Sequence, residues 1–239
     1  MSNNRFANTV LQRFDPTRPV LLLAIALLNA CQSLPIAPPE AEIVSIQRHR
    51  FSLNKDQAMV GKMFQVEVAD RDSLAGIGRY FGLGFDEISL ANPDLDPWIP
   101  EPGNRVLLPL QFILPAAPRQ GIVLNLSAKR LFYFPKEAPG VVFTYPVGIG
   151  REGWETPLGL TRIVAKKAHP SWTVPVSVRR EHARKGDPLP GIVPAGPDNP
   201  LGDYAMRLGI PGYLIHGTNK PYGVGMEVSH GCVRLYPED

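Results

Sequence analysis

The chain has 239 residues, 44% hydrophobic and 20% charged, enough to bury one sizeable core or two smaller ones. Three arginines and one aspartate fall in the first thirty residues, and the remainder carries 22 basic against 21 acidic side chains, a balance that argues against nucleic acid as a partner. With 26 prolines and 22 glycines, turns and short strands are expected over long helices.

Arg5, Arg13 and Arg18 precede the apolar run "VLLLAIALL" at residues 20–28. A basic stretch followed by a short apolar core predicts a secretory signal over residues 1–30. The run is too short to span a bilayer as a helix, which takes ~20 residues. It ends in "LNAC", with Ala30 before Cys31, and so resembles the site at which bacterial lipoproteins are cleaved and acylated. Lipidation at Cys31 and a membrane anchor are the expectation, with an uncleaved membrane anchor as the alternative. Residues 31–60, opening on "QSLPIAPPEAE", are expected to be a lipid-anchored, semi-extended spacer.

Residues 61–110 predict a small α+β unit. "FQVEVA" alternates as a strand, and Asp72 and Ser73 are cap candidates for a helix that places Leu74, Ile77 and Phe81 on one face. "FDEISLANP" gives a second short helix stopped by Asn92 and Pro93, and "NRVLLPL" a closing strand. This βααβ order, with "ANP" and "RVLLP", resembles the LysM family, which implies binding to glycan strands rich in N-acetylglucosamine, as in peptidoglycan. Arg71 stands where that family has glycine, and Gly76 and Gly78 weaken the first helix. The alternative is a structural subdomain without sugar affinity.

"FILPAAPRQ" at 112–120 reads as a linker, and residues 119–239 as a mainly β domain. "IVLNLSAKRLFYF" alternates around a turn at residues 127–129; "VVFTYPVGIG", "TRIVAKKA" and "YLIH" are further strands. The stretch 170–201, whose one helical piece is "VRREHARKGDPLP", is too long for an ordinary connection and is expected to cover something.

Gly148, Gly150 and Gly153 satisfy a G-x-G-x-x-G spacing, but Pro157 and Gly159 prevent the helix a phosphate site needs, so they are read as turn residues. "SLNK" at 52–55 has the S-x-x-K form without the K-T-G strand its chemistry requires, and is read as coincidence. His49, His169 and His182 have no acidic or thiol neighbour at a useful spacing and are read as surface or packing residues.

There remains "YLIHGTNKPYGVGMEVSHGCVRL" at 213–235. His216 ends an apolar strand and Cys232 follows after Pro221, Gly223 and Gly225 have turned the chain. If Cys31 is acylated, Cys232 has no disulfide partner within the chain, and a lone thiol in an exported protein points to catalysis. Thiol chemistry needs a base, a group to orient it, and oxyanion donors. His216 can supply the first, the Gly217 carbonyl the second, and the amides of Gly231 and Cys232 the third. A helix beginning after Cys232 would add its dipole. The rivals are a zinc site of His216, His230 and Cys232, which lacks a fourth ligand, and a disulfide should Cys31 stay free.

"HGT…SHGCVRL" resembles the L,D-transpeptidases with a YkuD-type catalytic domain, and the likeness extends through "VLNL", "TPLG" and "LPGIVPAGPDNPLG". The last of these, with "VRL" and the LysM-like unit, is similar to the ErfK/YbiS-like Gram-negative branch that attaches murein lipoprotein to peptidoglycan. The resemblance implies a β-sandwich-like domain with Cys232 as nucleophile and His216 as base. His230 would position substrate or support the oxyanion, Ser229 would line the site, and Arg234 would pair with a stem-peptide carboxylate. It further implies a periplasmic enzyme without metal or cofactor. Its partners are peptidoglycan stem peptides and glycan strands, with a lipoprotein lysine or a second diaminopimelate as acyl acceptor. The family continues past "PED" through a helix and strands, so the C-terminal end is expected to be truncated. A cysteine hydrolase with the same residues and a binding module with a dead site stay open.

Overall fold

The computed structural model describes residues 49–239, which lie in one compact unit. The secretory leader, the Cys31 anchor and the spacer up to residue 48 lie outside the described residues. Among those described, no helix is long and apolar enough to cross a membrane.

The elements in chain order are β1 (Arg50–Ser52), β2 (Met59–Gly61), β3 (Phe64–Glu67), α1 (Leu74–Phe81), α2 (Phe85–Ala91), β4 (Arg105–Leu108), β5 (Gln111–Ile113), β6 (Gly121–Asn125), β7 (Arg130–Phe134), β8 (Val141–Pro146), β9 (Ile149–Gly150), β10 (Ile163–Ala168), β11 (Trp172–Thr173), α3 (Val176–Arg184), β12 (Ile192–Val193), β13 (Tyr204–Leu208), β14 (Leu214–His216), β15 (Glu227–Ser229) and β16 (Val233–Arg234). The protein is mainly β, as its turn-rich composition predicts. Two four-stranded sheets dominate, ordered β1-β8-β7-β6 and β10-β13-β14-β16.

The first sheet is buried on both faces, and strand periodicity shows how. Leu131 on β7 and Ile122 and Leu124 on β6 point into a core shared with Leu208, Ile215 and Val233 of the second sheet, giving the sandwich. Their neighbours Phe132, Phe134 and Val123 point the opposite way, into a core with Leu74, Ile88, Val106 and Phe112. A strand covered on both sides reads as a continuous apolar run, which is why "RLFYF" shows so little alternation.

The 61–110 segment has the predicted element order, β3 pairing antiparallel with β4 across the two helices. Ser73 caps α1, its Oγ accepting from the Gly76 N–H at 3.1 Å. Gly78 keeps α2 close: a Cβ there would stand 3.1 Å from Ile88 Cγ2. Asn92 does more than stop α2. Buried, it donates to the carbonyls of Ile88 and Leu107 and accepts from the Leu107 N–H, which ties the helix to β4.

Two expectations are corrected. The spacer expected through residue 60 contains β1, which pairs with β8, and β2, because Phe51 and Val60 have apolar partners in the core. The linker expected at 112–120 is partly structural: β5 pairs with β2, and Phe112 and Leu114 are buried.

Candidate active site

His216 is the last residue of β14, an inner strand of the second sheet, and is 4% exposed. β14 pairs antiparallel with β13 and parallel with β16, where Ile215 stands opposite Val233 and His216 opposite Arg234. Ile215 and Val233 face the core. By strand alternation Cys232, Arg234 and His216 leave the other face, with Cys232 one register step beyond the pair. One interstrand spacing and two residues of rise separate the Cα atoms of His216 and Cys232 by roughly 8 Å, a gap two side chains can close.

The turn at 229–232 is held by its own hydroxyl and by a neighbouring loop. Ser229 Oγ donates to the Cys232 carbonyl at 2.6 Å and accepts from the Gly231 N–H at 3.0 Å. Thr156 Oγ1 donates to the Gly231 carbonyl at 2.8 Å and accepts from the Gly150 N–H at 2.9 Å. Gly231 has φ of +100°, and a Cβ there would stand 2.6 Å from the Tyr213 ring, so no other residue fits.

This geometry revises three expectations. Ser229 is 1% exposed with its hydroxyl engaged, so it locks the turn and does not line the site. The Gly231 N–H is bound to Ser229, and so is not free to serve an oxyanion. The chain continues from Cys232 into β16, a strand buried against β14, so no helix dipole acts on the sulfur.

Cys232 is half-buried, its thiol directed at the Gly212 carbonyl 3.7 Å away. Burial pushes the thiol pKa up, opposed by a backbone N–H from Leu214 and the charge of Arg234. For His216, burial and then Arg234 push the pKa down to about 4, while carbonyls of Gly217 and Leu201 pull it up. Its Nδ1–H donates to the Gly217 carbonyl, which leaves Nε2 as the ring's acceptor. The resting pair is therefore neutral thiol and neutral imidazole, not a preformed ion pair. Arg234 is itself largely buried, its pKa pushed down by that burial, and its Nε has no hydrogen-bond partner.

His230 turns away to a different set of groups. Its Nε2 lies 2.9 Å from Glu181 Oε2 on α3 and 3.1 Å from Arg151 Nη2. A carboxylate at that distance requires a hydrogen between, so Nε2–H donates to Glu181, and Arg151 is near because it binds the same carboxylate at 2.7 Å. Burial pushes the His230 pKa down, with Glu181 opposing and Arg151 assisting. Lys185, Arg151 and His230 hold the Glu181 carboxyl far below the usual range. The long 170–201 stretch thus does cover something: through Glu181, α3 lies against the 229–232 turn.

Glu181, Arg151 and Thr156 are the site residues that the sequence reading missed. A signal existed for Glu181, the single acid in the otherwise basic helix "VSVRREHAR".

The other motifs behave as structure. His49, His169 and His182 do meet acids, at Asp239, Asp203 and Asp187, so the expectation that they lack them is corrected. Folding supplies the first two partners from far along the chain, and the end of α3 brings Asp187 back to His182. Gly148 and Gly150 are in strand and bridge pairing, Gly148 with Arg234. Among the described residues no three His, Cys, Asp or Glu converge to hold a metal ion.

The site is thus carried by a sandwich with an inner strand that ends in a buried histidine, paired to a strand that follows an S-H-G-C turn. The L,D-transpeptidase catalytic domain, YkuD, matches residues 119–239. The chain is 43% identical over 180 residues to "Probable L,D-transpeptidase YcfS" of Escherichia coli K12, covering 74% of this chain and 56% of that protein. It is 42% identical over 184 residues to "Probable L,D-transpeptidase ErfK/SrfK" of the same strain, covering 76% and 59%. To "Probable L,D-transpeptidase ErfK/SrfK" of Salmonella typhimurium LT2 it is 35% identical over 232 residues, covering 96% and 69%. The chain belongs to the L,D-transpeptidase family with a YkuD catalytic domain. It spans a little over half the length of the two Escherichia coli relatives.

Proposed function

We propose that residues 119–239 catalyse L,D-transpeptidation of peptidoglycan tetrapeptide stems through a thioester on Cys232. In this reading the Cys232 sulfur attacks the carbonyl of diaminopimelate at stem position three while His216 Nε2 takes the thiol proton. The tetrahedral intermediate collapses, the imidazolium returns its proton to the departing nitrogen, and D-alanine leaves. An amine then attacks the thioester and restores the thiol; a lipoprotein lysine and a second diaminopimelate are the two acceptors that fit. The Cys232 N–H, and not the engaged Gly231 N–H, is the oxyanion donor.

The observation that carries the reading is the conjunction at β14 and β16. A half-buried thiol lies two residues before Arg234, whose partner across the sheet is a histidine with Nδ1 committed to a carbonyl, and Arg234 itself carries an unpartnered Nε. Arg234 suits the carboxylate of a stem peptide. The 61–110 unit would hold glycan strands, and the leader with Cys31 would place the enzyme in the periplasm on a lipid anchor.

The test is intact-protein mass spectrometry with tetrapeptide stems, with and without an amine acceptor. The expected result is an acyl adduct on the Cys232 peptide, release of D-alanine, and a cross-linked product when acceptor is present. His216→Ala should slow adduct formation ~10²- to 10⁴-fold. Free tripeptide alone in the presence of acceptor would make the protein a hydrolase, and undiminished turnover by Cys232→Ala would overturn the thiol chemistry.

A further inference from the structure

The helix α3 carries one acid among three arginines and a histidine, and that acid is the point where three separate segments meet. Both oxygens of Glu181 lie 2.7 Å from Arg151 Nη2. Lys185 Nζ, one turn along the helix, is 2.6 Å from Oε1. His230 Nε2, two residues before the nucleophile, is 2.9 Å from Oε2. Arg151 is fixed in turn by its backbone N–H, which donates to the Ser229 carbonyl at 3.1 Å, so it belongs to the same turn as His230. On the ring's other contacts, Trp154 meets His230 edge-on at 4.7 Å and 85°.

A carboxylate is the group this arrangement needs. Two cations and an imidazole N–H converge, all donors, and only an anionic acceptor satisfies them together. Glu181 side-chain exposure is 13%, so the cluster is partly withdrawn from water and an unmatched donor there is costly. An imidazole held through one nitrogen has its tautomer and ring plane fixed, and the other nitrogen becomes the acceptor.

We propose that Glu181 is a positioning residue for the reaction at Cys232: it holds His230 as the Nε2–H tautomer, leaves Nδ1 as the acceptor nitrogen, and pins α3 across the catalytic turn. The proposal rests on the reading of Cys232 as nucleophile. It makes the 170–201 segment part of the working site through a single side chain.

The test combines ¹⁵N NMR of the histidine ring nitrogens with kinetics of Cys232 acylation in the full chain. Wild type should show His230 with a protonated Nε2 and an unprotonated Nδ1. Glu181→Ala should move those signals toward tautomer exchange and lower kcat roughly 10- to 100-fold with KM within about twofold, since misplacement acts on the rate and not on binding. Glu181→Gln, which leaves one acceptor oxygen and turns an amide donor toward the converging donors, should lose tautomer and rate as Glu181→Ala does, whereas Glu181→Asp keeps the carboxylate and should keep the tautomer. Arg184→Ala, which removes an exposed charge on the same helix, should be unchanged and controls for loss of surface charge. The proposal is overturned if Glu181→Ala retains wild-type signals and rate, or if Glu181→Asp falls as far as Glu181→Ala. Should wild type fail to acylate Cys232 at all, the reading of the reaction fails, while the NMR arm still reports on the tautomer by itself.

Discussion

The thiol of Cys232 is governed by withdrawal from water before anything else. Burial raises its pKa, while the Leu214 N–H and Arg234 lower it by less. Alkylation by iodoacetamide should therefore accelerate with pH through and beyond the ordinary thiol range, and Arg234→Gln should push the curve further up. A rate already level below pH 7 would mean a preformed thiolate and contradict the neutral resting pair. At this scale the sequence was informative where chemistry is written locally. Cys232 and His216 stood out by residue type and spacing, Arg234 came only from the family resemblance, and the expected contact of His216 with the Gly217 carbonyl is present. Ser229 was misread because a hydroxyl beside a nucleophile looks like a site group, whereas its 1% exposure and two hydrogen bonds make it a turn lock. Glu181 was passed over since it lies 49 residues from His230 on a helix whose charges look solvated.

Between elements, the connection to watch is Arg130 with Glu87, which joins β7 to α2. The arginine is 1% exposed, its Nε and Nη2 each 2.7 Å from a Glu87 oxygen, with Nη2 also donating to the Gly82 carbonyl. Its guanidinium carbon sits 3.8 Å from the Phe112 ring centroid. Removing one partner leaves the other charge buried, so Glu87→Gln should cost about 3–5 kcal/mol in urea unfolding. The pair Arg130→Met with Glu87→Gln should cost clearly less than the sum of the singles; additive losses would show that the two side chains do not act together. Local elements such as the β6–β7 hairpin and the capped α1 were readable from alternation and a serine. The pairing of β1 with β8 was not, because it joins segments about 90 residues apart and nothing in a three-residue strand names its partner. The two-residue strands β9 and β16 were equally silent, their parallel pairings being set by the sandwich around them.

For the molecule as a whole, a histidine kept neutral in the interior sets a pH limit on the fold. His216 has a folded pKa of about 4, below its ordinary value of 6.5. The unfolded chain therefore takes up a proton near pH 6.5 while the folded chain waits until about pH 4. The stability is complete above pH 6.5 and drains away as pH falls between those values. Urea unfolding at pH 7 and pH 4.5 should show wild type losing about 2–3 kcal/mol more than His216→Gln. Equal losses would mean that the imidazole is reached by water in the native state.

The first sheet presents Leu131, Ile122 and Leu124 to the catalytic half and Phe132, Phe134 and Val123 to the helical half. Excising residues 119–239 at the boundary the family match suggests would strip one side of that sheet and leave an adhesive aromatic surface facing water. The cut that respects this molecule falls ahead of β1: the apparent accessory module is the cover over one face of the sheet whose other face packs against β13, β14 and β16.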